Sequence, residues 1–576
     1  MNAIVVPRRA FGVGVVILQV SCVDGTPYPP GASAPREVAR GMTAVASGAP
    51  GGHATPGAVP QGMPGAQPAL GREVTVSVTS SATAGAVARV PAVAAAAGGA
   101  VRVDDGRPRI GSVKWITHIW STPDRPKNHL PIGSIRFGTS IALKSREPVP
   151  GGGCPARWYA VEPLGYVCAD ETTTFDFDSA YWKALAELSP GPGALPYRYA
   201  FSTGAPMYSR VPTVEEQRNA ELDLGPVRTF KPLGKWSEGH ERLVSTAEGD
   251  AIQATAEVPE YFRDHRSIPG SPWNPKALAK VRTIPAGSGL AYVKAFAAAG
   301  RTWLLTPDLL LVPADRVFPY KPTAFHGVLL GKGGEGSGGG EGASLPAAWI
   351  RGALVKKLVR GGEGVFMAPG GGEAWATKTL VALTGKSALV GKVRHWESRE
   401  GGWLAESEAV SVVQAAERLP RSIGADEKWI EARILPGTMV AYEGLRPVWT
   451  TLWSAGKGGV PVKGNDPKRF ATTETGIFAF QWKDKVATMS PDKGAPSVFF
   501  FSDVPHIQYV HAPLALHVTY WHEDFGHLRS AECLNVSPLD GEWLFGWTLP
   551  ALPEGWNSVR PSKLMGPATR IVIHGQ

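Results

Sequence analysis

Cys533 lies sixteen residues after His517, inside the stretch HVTYWHEDFGHLRSAECLNVSPLDGEWLFGW that runs from 517 to 547. A thiol and an imidazole that folding brings together can do nucleophilic chemistry. A free thiol, with a pKa of about 8.5, is mostly protonated at neutral pH and needs a base to become a nucleophile. An imidazole titrates near neutrality, so it can take that proton and return it to a leaving amine. Ser530, three residues before Cys533, is placed to orient the imidazole or the turn. Backbone N–H groups around Cys533 would have to hold a developing oxyanion. Other readings of the same residues stay open at this point: Cys533 as a small buried hydrophobe, and His517 as a satisfied core histidine. His522 and His527 read as structural or surface residues, and Trp521, Phe525, Trp543 and Phe545 as core. No metal is expected, because the spacing of His517, His522 and Cys533 matches no zinc pattern. Glu523 and Asp524 are adjacent and on a strand would point apart, so they do not form an acid–base pair.

The residues just before the cysteine complicate the chemistry. Glu532 puts bulk and negative charge beside the thiol, and a carboxylate within about 4–6 Å disfavours a thiolate. Arg529 and His527 are near enough in sequence to pair with it.

These residues need strands and a turn to position them. From Lys428 to Gly456 the chain reads as strands, with a hairpin at AYEG leading into TLWSAG. A short helix is expected after Pro538, and RIVIHG as the last strand.

Together the C-terminal pieces resemble the L,D-transpeptidase catalytic domain of bacterial peptidoglycan enzymes. ATTETGIFAF is similar to the family's Thr-Pro-x-Gly-x-Phe segment, with Glu474 where proline is usual. ALHVTYWHEDFG is similar to its histidine segment, with Val518 in place of a small residue. SAECLNVSPLDGEWLFGW is similar to its Ser-His-Gly-Cys segment, with Ala531-Glu532 in place of His-Gly. The resemblance implies cysteine acyl transfer with Cys533 as nucleophile, His517 as proton donor and acceptor, and Ser530 orienting. It assigns Tyr509 and Asn535 to substrate binding. The implied substrate is a peptidoglycan stem peptide, and no cofactor is implied. Glycine at 532 would allow a backbone shape and an approach that a side chain hinders. The alternative is therefore a catalytically impaired relative that binds peptidoglycan as a scaffold or regulator.

Upstream, 576 residues with 69 Gly and 51 Pro call for several domains and many turns. Residues 1–22 read as an export or lipoprotein signal: Arg8 and Arg9 precede an apolar run too short to anchor stably in a bilayer. Cys22 is a candidate for lipid attachment, although Gln19 stands where a lipobox carries an aliphatic residue; simple cleavage nearby is the alternative. Residues 23–108, rich in Ala, Gly and Pro, read as a disordered tether. Residues 109–180 resemble a small SH3-like β-domain. Cys154 and Cys168 flank a hairpin's length of chain there, and an exported protein would pair them as a disulfide. Residues 181–265 read as a mixed connector whose second helix carries a capping box, Thr213 with Glu216. A second SH3-like unit is expected over 266–330, a Gly-rich linker over 331–345, a third β-unit over 346–420 and the catalytic-like domain over 427–576.

The fold class expected is mainly β and multidomain: SH3-like barrels followed by a β-sandwich with a short helix. A net charge of +9 over this length, with no recognition helix and no basic-aromatic stripe, argues against nucleic acid as a partner. The expectation is an exported monomer of the periplasm or cell envelope, tethered to the membrane through Cys22 if that residue is lipidated rather than lost by cleavage nearby.

Overall fold

The computed structural model describes residues 105–125, 129–224, 227, 240–244, 250–266, 280–331, 343–370, 372–490 and 499–576. The expected leader, Cys22, the tether and most of the Gly-rich linker lie outside the described residues. The fold is mainly β, in several sheets with a few short helices. Among the described residues no helix is long and apolar enough to cross a membrane.

The strands used below are, in chain order, β1 (Arg109–Ser112), β2 (Ile116–Ile119), β3 (Gly133–Arg136), β4 (Ser140–Ala142), β5 (Trp158–Ala160), β6 (Tyr166–Cys168), β7 (Arg198–Ser202), β8 (Gly289–Tyr292) and β9 (Val317–Pro319). In the C-terminal part they are β10 (Lys428–Arg433), β11 (Thr438–Glu443), β12 (Arg446–Leu452), β13 (Gly476–Ala479), β14 (Trp482–Met489), β15 (Phe501–His511), β16 (Leu514–Val518), β17 (Leu534–Val536), β18 (Ser558–Val559) and β19 (Arg570–His574). The helices used are α1 (Ala180–Glu187), α2 (Val214–Glu221) and α3 (Pro538–Trp547).

Local chemistry sets the helix starts. The Ser179 side chain accepts the Trp182 N–H at the head of α1. Thr213 and Glu216 form a reciprocal capping box at the head of α2. Ser537 caps α3, and Pro538 sits at its first turn, where a missing N–H costs nothing. Cys154 and Cys168 are joined by a disulfide with Cα atoms 5.7 Å apart, beside the β5–β6 hairpin.

One large sheet ties distant segments together. Its order is β9-β7-β8-β15-β14-β18-β3-β2, with β16 paired to β15 and β17 to β16. Strands from residues 116–319 therefore share hydrogen bonds with strands from 482–559. Arg136 on β3 reinforces the join through a buried ion pair with Asp503 of β15, 2.7 Å apart. Asp503 and His506 have φ of 49° and 52°, so β15 is locally kinked at two non-glycine positions. A six-stranded sheet adds Val328–Leu329 to β12-β11-β10-β19-β13. A five-stranded sheet is built wholly from residues 347–413.

Strands β16 and β17 lie between two cores. Leu516, Leu534 and Val536 pack toward Ile430, Trp449 and Leu544. Ala515 and Cys533 pack in the other core, with Tyr199, Phe501 and Tyr520. The period of two along a strand explains the split: alternate side chains point to opposite faces.

Candidate active site

β16 and β17 pair in parallel, and the register places His517 beside Asn535 and Leu516 beside Leu534. Cys533 is the residue immediately before β17. The strand bearing the histidine and the turn bearing the cysteine are thus neighbours, although Cys533 comes sixteen positions after His517 in the chain.

The other pieces of the motif close around this turn. Residues 454–457 of the TLWSAG segment lie along it: Ser454 and Asn535 exchange backbone hydrogen bonds of 2.9 and 3.0 Å, and Lys457 N–H donates to Ser530 O. From the TTETG segment, the Thr473 hydroxyl donates to Glu532 O at 2.7 Å and accepts from Gly456 N–H at 2.8 Å. The Ser530 hydroxyl donates to Cys533 O at 2.5 Å, so it closes the turn itself. Asp540 fixes α3 behind the strands. Its two carboxylate oxygens accept from Gly327 N–H and the Thr451 hydroxyl, at 2.5 and 2.6 Å.

The imidazole of His517 is fully buried and belongs to a hydrogen-bonded chain. Its Nδ1 lies 2.8 Å from Val518 O, which fixes the proton on Nδ1. Nε2 then accepts from the Asn535 amide at 3.0 Å, and Asn535 Oδ1 accepts from His522 Nε2 at 3.1 Å. Asp524 N–H completes the chain by donating to His522 Nδ1. Every proton in this chain has one place to be, and both rings are neutral. Burial pushes His517 down to about 4, and His522 is also lowered, first by burial.

Cys533 has no exposed surface, and its sulfur is engaged in a disulfide. The approach of the sulfur to Pro513 O, 3.5 Å, is a contact only, because a disulfide sulfur carries no proton. In this state Cys533 is not a nucleophile, and reduction must precede any thiolate chemistry.

Glu532 is buried beside it, and its Oε1 has no hydrogen-bond partner. Desolvation raises its pKa to about 7; Lys468 and His511 oppose the shift, while Asp466 and Glu474 add to it. Arg529, one of the two residues expected to neutralise it, reaches Asp524 at 3.5 Å. The geometric reason is that Arg529 N–H is tied to Ala455 O in the clamp on the turn, next to the Asp524 loop. Glu523 and Asp524 lie in that loop rather than on a strand. They pair with Lys378 at 3.5 Å and Arg242 at 3.0 Å.

Tyr509 sits on β15, buried, with its ring stacked 4.0 Å from Trp482. Cys533, His517, Ser530 and Asn535 are therefore brought together. Tyr509 shares the core of Cys533. His522, read from sequence as structural or surface, is buried and extends the chain through Asn535. A second contributor was not singled out from sequence: His511 pairs with Glu474 at 2.9 Å near Glu532. The only signal for the second was that Glu474 replaces the usual proline.

No family model and no curated protein matches the chain. Solved structures similar to part of it include an L,D-transpeptidase from Xylanimonas cellulosilytica, 22% identical, with a TM-score of 0.19, covering 27% of this chain and 63% of that one. The catalytic domain of the E. faecium L,D-transpeptidase is 18% identical, with a TM-score of 0.18, covering 26% and 97%. An L,D-transpeptidase from Mycobacterium smegmatis is 16% identical, with a TM-score of 0.20, covering 33% and 76%. This chain thus spans less than two thirds of the Xylanimonas chain. At such TM-scores the likeness carries no weight of its own, and the functional reading rests on the residues of the site.

Proposed function

We propose that residues 427–576 form an L,D-transpeptidase-like β-sandwich that performs cysteine acyl transfer on peptidoglycan stem peptides, in an exported envelope protein. The observation that carries the reading is the convergence of four separate motif segments on Cys533: TLWSAG, TTETG, the histidine strand and SAEC. Random resemblance of short segments gives no reason for them to meet. In the reaction, the reduced Cys533 sulfur attacks the carbonyl between the diamino acid and D-alanine. His517 takes the thiol proton and passes it to the departing amine of D-alanine, leaving a thioester. An amine of a second stem peptide then attacks the thioester, which restores the thiol and forms the cross-link. Since His517 is neutral at pH 7 and both its nitrogens are hydrogen-bonded, Asn535 must release Nε2 for it to act as a base.

A second reading, a silent peptidoglycan-binding scaffold, is favoured by one feature. The Glu532 carboxyl, whose buried Oε1 has no partner, sits beside a sulfur that is itself held in a disulfide. A single experiment separates the two. After reduction with dithiothreitol, the full chain is incubated with a carbapenem and its intact mass measured. A one-to-one adduct, absent in Cys533→Ala, supports acyl transfer. No adduct on a fully reduced, folded chain that still pulls down with peptidoglycan sacculi supports the scaffold.

A further inference from the structure

A cleft of about 1300 Å³ opens between β5, α1, the Gly138–Ser140 turn and the 554–557 segment. It shares no lining residue with the site around Cys533. Its volume exceeds the roughly 300–1,000 Å³ of an ordinary small-molecule pocket, so it has room for a chain of rings.

Its lining includes two polar residues only partly satisfied by the fold, Lys485 and Asn557. The register of β14 with β18 pairs Asp484 with Ser558, and Lys485 N–H donates to Asn557 O at 2.7 Å. Lys485 and Asn557 thus stand opposite each other, and cross-strand neighbours present side chains on one face. The Lys485 ammonium has a backbone acceptor, Pro190 O at 3.3 Å, and no carboxylate among the described residues. Asn557 is 7% exposed, and its Oδ1 is buried without a partner, while its amide N–H reaches Val486 O. The Lys485 ammonium, with donors to spare beyond Pro190 O, is thus the polar group offered to a ligand, while Asn557 Oδ1 is screened from solvent. Leaving the Asn557 oxygen unpaired in a buried position costs about 1–3 kcal/mol.

The walls are aromatic and basic. Phe175 is 48% exposed and meets Tyr159 edge-on, with centroids 5.1 Å apart. Arg146 is exposed and has no ion pair among the described residues, whereas Glu187, one of two carboxylates in the lining, is neutralised by Lys294 at 2.7 Å. Aromatic faces suit the apolar faces of sugar rings. The Lys485 ammonium can donate to the carbonyl of an acetamido group. The surplus cations suit carboxylates.

We infer that this cleft binds an N-acetylated, carboxylate-bearing glycan strand. That the strand comes from the cell wall rests on the peptidoglycan reading above; the recognition chemistry does not. The test is calorimetric titration of the full chain with a muramyl-containing tetrasaccharide, and with a neutral N-acetylglucosamine tetramer. Binding of the muramyl ligand is expected, weakened about tenfold by Phe175→Ala and by Lys485→Met. Arg146→Ala should weaken the muramyl ligand and leave the neutral one unchanged. Phe175 and Arg146 are exposed, so those two variants keep the test valid if Lys485→Met misfolds. Absence of binding to the wild-type chain, or equal binding by Phe175→Ala and Arg146→Ala, would overturn the assignment. The carbapenem mass shift, read on the same samples, keeps the two proposals apart. An adduct without glycan binding defeats the cleft alone, and glycan binding without an adduct defeats acyl transfer alone.

Discussion

Replacing Glu532 by glutamine keeps its shape and removes its charge, so it isolates what a buried carboxyl does beside Cys533. Burial raises this group from 4.5 to about 7. One pKa unit corresponds to about 1.36 kcal/mol, so ionising it in the folded protein costs about 3 kcal/mol. The sign follows from linkage. Below 4.5 the carboxyl is protonated whether the chain is folded or not, and it costs nothing. As pH rises from 4.5 to about 7 the unfolded chain sheds the proton and the folded chain does not, so stability falls. Above about 7 the full penalty is present. Glu532→Gln should therefore match the wild type near pH 4.5 and exceed it by about 3 kcal/mol at pH 8. Urea unfolding followed by tryptophan fluorescence, run on both proteins from pH 4.5 to 8.5, measures the gap. A gap that does not widen with pH would refute the reasoning, because it would mean that the carboxyl ionises normally. A second readout tests the link to chemistry. In the reduced protein above pH 7, the variant's Cys533 should alkylate faster, since a neighbouring carboxylate no longer opposes the thiolate.

Three further outcomes follow from the same structure. Lys483 is fully buried and donates to Phe545 O, Thr548 O, the Thr548 hydroxyl and Pro550 O, so Lys483→Met should strip the C-terminal end of α3 of its donor and cost about 3 kcal/mol in urea unfolding. Arg136→Met should cost about 3–5 kcal/mol by leaving Asp503 buried and uncompensated, and adding Asp503→Asn should recover most of it, since Asn tolerates the positive φ there; melting of the three proteins checks this. His517 binds its proton more weakly folded than unfolded, so its contribution is complete above 6.5 and lost as pH falls toward 4; Asn535→Ala, which removes the amide donor at Nε2, should shift the imidazole titration seen by NMR.

Much of the site was legible in the chain because its signals are local. The helix at Pro538 follows from Ser537 and proline at its first turn, and the capping box at Thr213 follows from a spacing of three residues. His517, Ser530 and Cys533 were named from residue types within a short stretch, and the β character of the whole from alternating runs broken by glycine. Other features depend on partners far away in sequence. Nothing near Arg529 announces that it will face Asp524 rather than Glu532, since that depends on how Ala455 clamps the turn. Nothing near Gly289 announces its parallel pairing with Phe501, which carries strands of the first half into the sheet of the second. The sequence alone determined which groups can ionise, donate or cap, because those properties travel with each residue and its near neighbours. Only the tertiary structure decided which of them are dry, which are paired and which are left over. The neutrality of His517, the raised pKa of Glu532 and the unpartnered oxygen of Asn557 beside the cleft are all set by desolvation and by contacts between strands, and none is encoded at any one position.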